Sequence, residues 1–244
     1  MTIHGIIFDL GSTLIHRTGL ELEREQCRVL ADFAAAEWGC TNPEGLATHL
    51  LAVRVECWRR SDEDLHEHLA TEPIADAFAA AGLPTDEATL RRAEDVFFEP
   101  EVRNSRLYPG AVETLEAVRG MGLQLGMISN ATSHRLIQEI TGKHGIGGYF
   151  DPLVTSAQFG RIKPHPGIFT HVLEAWRLPP RSVVMIGDTL RADILGAHTV
   201  GMRSILVDIE PNPANARFAG TTTPTARVTS LEEIPSIVRT WGDR

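Results

Sequence analysis

The sequence predicts an α/β protein: a Rossmann-like, doubly wound parallel sheet with an all-helical domain inserted into it. Three observations carry that expectation. A short apolar run, Ile6-Ile7-Phe8, ends on Asp9 and passes into the small turn Gly11-Ser12-Thr13. A block from about residue 18 to residue 104 places its apolar residues only at helical spacing. After residue 108, strand-like and helix-like stretches alternate, the sign of parallel strands joined by right-handed crossovers. The first strand therefore belongs with the C-terminal half. Residues 1–16 and 106–244 form the α/β core, and residues 17–105 form the helical insertion.

Taken in order, residues 3–9 are the first strand, and their near-continuous apolar run suits burial on both faces. Leu22, Val29, Leu30 and Phe33 then recur at helical spacing. Thr41-Asn42-Pro43-Glu44 starts a second helix, with a cap residue, a proline in the first turn and an acid just inside. Leu65 and Leu69 suggest a further stretch, and Pro73 opens a helix that ends at Gly82. Thr85-Asp86-Glu87 starts another, stopped by Pro100. The insertion is thus expected to hold four or five helices and no strand. In the second half, helices are expected over 111–120, 132–144, 166–176 and 191–200, and strands over 123–129, 152–156, 182–187 and 203–207. The segment 210–225, with Pro211, Pro213, Pro224 and a threonine run, reads as an irregular loop. Residues 226–228 suit an edge strand. The last helix, 230–240, starts at Ser230 with Glu233 three residues on.

Composition narrows the function classes. A chain of 244 residues with 43% hydrophobic content suits one large domain or a core carrying an insertion. No run of about 18 apolar residues exists, so no membrane span is expected. The N-terminus lacks the basic and apolar regions of a signal peptide. Cys27, Cys40 and Cys57 are odd in number and not clustered, which suits reduced, buried thiols in a cytoplasmic protein. The net charge of −9 argues against non-specific nucleic-acid binding, yet leaves room for an anionic small substrate in a locally positive site. Oligomeric state is not legible. Lys143 and Lys163 are the only lysines, so the insertion has none. Its arginines, Arg54 and Arg92 among them, read mostly as solvated helix faces.

Four stations end strands of the core or sit just beyond them: Asp9; Ser129-Asn130; Lys163 in Lys163-Pro164-His165-Pro166; and Gly187-Asp188-Thr189-Leu190-Arg191-Ala192-Asp193. Taken singly, Lys163 reads as a loop lysine, Ser129 as a helix cap, and Asp188 and Asp193 as a cap and a helix-surface acid. A parallel sheet brings all four stations to one edge. Together they supply carboxylates, a hydroxyl and an ammonium, a set that suits a hard divalent cation such as Mg²⁺ beside a phosphate. An aspartate there can also serve as a nucleophile.

In this order and at these spacings, the chain resembles the haloacid dehalogenase-like hydrolase superfamily over nearly its whole length. The shared features are strand-Asp-x-x-x-Thr-Leu, an inserted helical cap, Tyr-Pro-Gly on return to the core, Ser-Asn, Lys-Pro-x-Pro, and Gly-Asp-x-x-x-x-Asp. The resemblance implies a phosphatase acting on a small phosphorylated metabolite through an aspartyl-phosphate. It implies that Asp9 attacks phosphorus and that Thr13 supports its turn. Ser129 and the backbone at Asn130 bind phosphate, and Lys163 neutralises both nucleophile and phosphate. The Mg²⁺ ligands it implies are Asp9, the backbone carbonyl of Gly11, Asp188 and Asp193.

The resemblance breaks at one position. The usual phosphatase of this family has a second aspartate two residues after the nucleophile, where it protonates the leaving alcohol and helps activate water. Here that residue is Gly11. The expectation is a slow phosphatase, or one that handles the proton elsewhere, with His16 the nearest titratable candidate. Two alternatives stay open: a non-catalytic protein that keeps the phosphate and metal pocket, and a 2-haloacid dehalogenase. The intact Gly187-Asp188 and Asp193 favour phosphoryl chemistry over the latter.

Overall fold

The computed structural model describes residues 2–16 and 19–242. The chain divides into two compact units, Met1–Arg17 with Arg106–Arg244, and Thr18–Ser105.

The first unit is built on six parallel strands: β1 (Gly5–Phe8), β2 (Gln124–Ser129), β3 (Leu153–Thr155), β4 (Val183–Gly187), β5 (Arg203–Val207) and β6 (Ala226–Val228). Their order is β3-β2-β1-β4-β5-β6. Chain order therefore reverses at β1, which pairs with β2 on one side and β4 on the other; Phe8 stands opposite both Met127 and Ile186. A ligand crevice forms at such a reversal, beyond the carboxyl ends of the strands. Asp9 follows β1 at that point, Ser129 ends β2, and Asp188 follows β4.

Successive strand residues face opposite sides of a sheet, so two hydrophobic layers are needed to cover it. Ile7, Ile128, Val154, Val183 and Met185 share one layer with Ile168, Phe169 and Val172 of helix 166–176. Ile6 and Phe8, which face the other way, are also wholly buried. The core helices are Ala111–Gly120, His134–Lys143, the single turn Ser156–Phe159, Pro166–Trp176, Gly196–Thr199 and Ile234–Gly242. The expected helix 191–200 takes a π-helical form over Leu190–Leu195 before its α-helical end. Ser230 and Glu233 form the reciprocal cap expected at the last helix.

The second unit holds α1 (Leu20–Trp38), α2 (Pro43–Asp64), α3 (Thr71–Ala80) and α4 (Glu87–Asn104), and no strand among the described residues. Two expectations fail here. Leu65 and Leu69 are not on a helix: Leu65 ends α2 in a left-handed conformation, and Leu69 is exposed, so their spacing marks no buried face. Pro100 does not stop α4, which continues to Asn104. Proline costs about 3 kcal/mol in a helix interior. Burial of Phe97, Phe98 and Pro100 itself offsets that cost, since each large apolar side chain contributes about 1.5–3 kcal/mol.

Arg54 is not a solvated arginine. It is 4% exposed, ion-paired to Glu23, and its guanidinium sits 4.4 Å from the Phe97 ring centroid. Nearby, Gln26 Nε2 donates to Glu101 Oε2 at 3.1 Å. Burial pushes the Glu101 carboxyl up to about 7, against the hydrogen bond from Gln26 and with help from the Glu23 charge. A raised carboxyl means the folded state holds that proton more tightly than the unfolded state. Its contribution therefore weakens stability as pH rises from about 4.5 through about 7. Glu101→Gln should stabilise the protein by about 1–3 kcal/mol at pH 8 and by much less at pH 5. Thermal melts at the two pH values check this; an equal gain at both, or a loss at pH 8, contradicts it.

Candidate active site

The β1–turn junction is shaped by one carbonyl. Leu10 O accepts from the backbone N–H groups of Thr13, Leu14 and Ile15 at 3.2, 2.9 and 3.1 Å, while the Leu10 and Leu14 side chains are wholly buried. The turn thereby carries Thr13 back over the strand end, and its hydroxyl donates to Asp9 Oδ2 at 2.9 Å. Ser12 takes the left-handed φ of 59° that the tight turn demands.

Lys163 reaches the other Asp9 oxygen from a distant loop. Its Nζ donates to Asp9 Oδ1 at 2.7 Å, to Asp193 Oδ1 at 2.6 Å and to the Ile128 carbonyl at 2.8 Å, and the side chain is 2% exposed. Burial alone would lower the ammonium's affinity for its proton; the Asp193 and Asp9 carboxylates more than offset this, so Lys163 is held above the ordinary lysine range. Asn130 anchors the same loop: its Nδ2 donates to the Lys163 carbonyl at 3.1 Å, and its Oδ1 accepts the Lys163 N–H at 2.7 Å. The Asn130 side chain is thus spent on positioning Lys163, and what remains for a ligand there is backbone. Ser129 is buried at the end of β2.

Asp193 folds back against β4. Its Oδ2 accepts the Thr189 N–H at 2.9 Å. Gly187 makes this approach feasible, because a Cβ on residue 187 would lie 2.2 Å from Asp193 Cγ. Burial pushes the Asp193 carboxyl up; Lys163 opposes the effect, and the Asp9 and Asp188 charges add to it. Ligand atoms of Asp9, Asp188 and Asp193 all lie within 4.8 Å of one another, and all three residues are buried. Three carboxylates against one ammonium leave a surplus of buried negative charge, which is costly unless a cation offsets it. The all-oxygen donor set suits a divalent cation of the hard type.

Asp9, Thr13, Lys163 and Asp193 are therefore joined in one hydrogen-bonded cluster, with Asp188 beside it. Gly11 lies in the exposed turn, outside the left-handed region, and a Cβ placed on it would meet nothing within 4 Å. His16 bonds elsewhere: its Nδ1 lies 3.0 Å from Glu210 Oε1, and its ring rests 4.1 Å from the Tyr108 ring centroid.

Sequence reasoning missed two residues. Asn212 Nδ2 donates to Asp188 Oδ2 at 2.7 Å, and Asn215 Nδ2 donates to the Asp188 carbonyl at 2.8 Å. Both lie in the segment read as an irregular loop. The Asn212-Pro213 pair does announce a turn, and Asn212 Oδ1 indeed accepts the Ala214 N–H. Nothing in the sequence marks the second use of its amide.

Known proteins share parts of this sequence and its fold. A family model described as haloacid dehalogenase-like hydrolase matches residues 3–201. The pyrimidine 5'-nucleotidase YjjG of Escherichia coli K12 is 37% identical over 131 residues, covering 53% of this chain and 56% of that protein. A glyceraldehyde 3-phosphate phosphatase of Methanothermobacter thermautotrophicus is 36% identical over 105 residues, covering 43% and 46%. The chain spans about half the length of these curated relatives. Among solved structures, a 2-haloacid dehalogenase from Pseudomonas syringae pv. Tomato superposes with a TM-score of 0.73 at 23% identity, covering 98% of this chain and 100% of that one. A HAD phosphatase from Thermococcus onnurineus gives 0.68 at 22% identity, covering 97% and 98%. Identities this low establish the shared fold alone. With the family model spanning most of the chain, and Asp9, Lys163, Asp188 and Asp193 gathered where its sheet reverses, the protein belongs to the haloacid dehalogenase-like hydrolases.

Proposed function

We propose that this protein is a Mg²⁺-dependent phosphatase of a small phosphorylated metabolite, acting in the cytoplasm through an aspartyl-phosphate at Asp9. The observation that carries the reading is Asp9 itself. Its two oxygens are fixed by Thr13 and Lys163 at the end of the central strand, within reach of two more carboxylates. A nucleophile held in one orientation avoids much of the entropic cost of attack. The phosphatase names of the relatives support the same chemistry. Among the described residues, no helix is long and apolar enough to cross a membrane.

Asp9 attacks phosphorus, forming the Asp9–phosphoryl bond as the bond to the leaving oxygen breaks. Lys163 holds Asp9 in place and offsets negative charge on the transferring group. Ser129 and backbone N–H groups beside Asn130 receive the remaining phosphoryl oxygens. Asp9, the Gly11 carbonyl and Asp188, with Asp193 behind them, would hold Mg²⁺, which when bound would polarise the phosphoryl group as a Lewis acid. Water then releases phosphate and restores the Asp9 carboxylate. The leaving alkoxide finds no carboxyl at residue 11, so good leaving groups, such as sugar-1-phosphates and acyl phosphates, suit the site best.

Hydrolysis of an aryl phosphate and a metabolite panel, with and without Mg²⁺, tests the reading. The expected result is phosphate release that requires the metal. No metal-dependent release from any substrate overturns it and favours a binding protein. Metal-independent halide release from a 2-haloacid favours a dehalogenase.

A further inference from the structure

The segment after β5 carries a device aimed at Asp188. Asn212 Nδ2 donates to Asp188 Oδ2 at 2.7 Å and approaches Thr189 Oγ1 at 3.4 Å, while Thr189 Oγ1 donates to Asp188 Oδ1 at 3.1 Å. Each Asp188 carboxylate oxygen thus accepts from a donor on this turn or on the loop after β5. Asn215 acts on the backbone of the same turn. Its Nδ2 donates to the Asp188 carbonyl at 2.8 Å, and its Oδ1 accepts the Leu190 N–H at 2.7 Å, so one amide spans the turn. Both asparagines are half-buried in a stretch whose Pro211, Pro213, Ala214 and Ala216 are exposed. The loop is seated independently by Phe218, which packs on Leu190, Ile194 and Leu206.

We propose that Asn212 and Asn215 are positioning residues for Asp188, and that the loop after β5 thereby sets how tightly the acid trio takes a divalent cation. The inference rests on the metal reading of Asp9, Asp188 and Asp193. A ligating carboxylate free to rotate loses orientational freedom when a cation binds; one already aimed by an amide has less to lose. Hydrogen bonds behind metal ligands typically govern affinity by about 10–100-fold.

Mn²⁺ alone is the probe, titrated calorimetrically into the 244-residue chain. Asn212→Ser keeps an acceptor for the Ala214 N–H but falls short of Asp188. It should weaken Mn²⁺ binding about tenfold while leaving metal-free melting close to the parent. In turnover, the metal concentration for half-activation should rise while kcat at saturating metal stays near the parent. Asn215→Ser gives a second reading, should the first variant fold poorly, and should also weaken binding. Unchanged Mn²⁺ affinity in both variants overturns the proposal. Failure of the parent protein to bind Mn²⁺ overturns the metal reading and this inference together, so the two failures are distinguishable.

Discussion

Asp9→Asn should reduce phosphate release by about 10⁴-fold or more, the scale on which loss of a nucleophile registers in enzymes with covalent intermediates. The geometry makes this a clean substitution. An amide fits the same space, its oxygen can accept from Lys163 at the position of Oδ1, and the Thr13 hydroxyl can turn from donor to acceptor. What it lacks is a carboxylate that can attack phosphorus. The same change should leave metal-free stability equal to or above the parent. Asp9 is one of the charges that push the Asp193 carboxyl up, so removing it relieves repulsion in the buried trio while Lys163 keeps its bond to Asp193. Activity assays paired with thermal melts check both halves. Turnover above about 1% of the parent would mean that the nucleophile is another group, and a large fall in stability would mean that the repulsion is misjudged.

Gly11→Asp should accelerate the enzyme. Positioned acid–base catalysis is typically worth about 10²–10⁴-fold, and the chain lacks the side chain that its family usually places there. The turn can accept one: a Cβ at residue 11 has no neighbour within 4 Å, and the backbone is not left-handed. The gain should be largest for alkyl phosphates, whose leaving oxygen needs a proton, and small for aryl phosphates, whose leaving group departs as an anion. Comparing kcat/KM for the two classes in parent and variant is the test. An alkyl phosphate rate that does not rise would show that proton transfer does not limit turnover, or that another group already supplies it.

The elements were legible because each has a local signature, whereas the four stations were legible only jointly, from the topology that gathers strand ends. Strand β4 is a continuous apolar run, the helix over 166–176 begins with a proline after a capping residue, and the ends of parallel strands must share one edge. Three kinds of information had no local signature. Leu65 and Leu69 obeyed helical spacing without a buried face to serve. Pro100 obeyed its intrinsic cost until the burial of α4 outweighed it. Asn212 and Asp188 are 24 residues apart and meet through one amide, an encounter that neither periodicity nor composition records. The burial of Arg54 is of the same kind, since a charged residue on a helix reads as solvated until its partner Glu23, 31 residues earlier, is seen beside it.

Two glycines of the site differ in what holds them. At residue 187 any side chain would strike Asp193, so that position is locked by sterics. At residue 11 no such lock exists, because a Cβ there meets nothing within 4 Å. Packing therefore imposes glycine at residue 187 but not at residue 11, so variation at 187 should cost stability as well as activity, whereas variation at 11 should register in activity first.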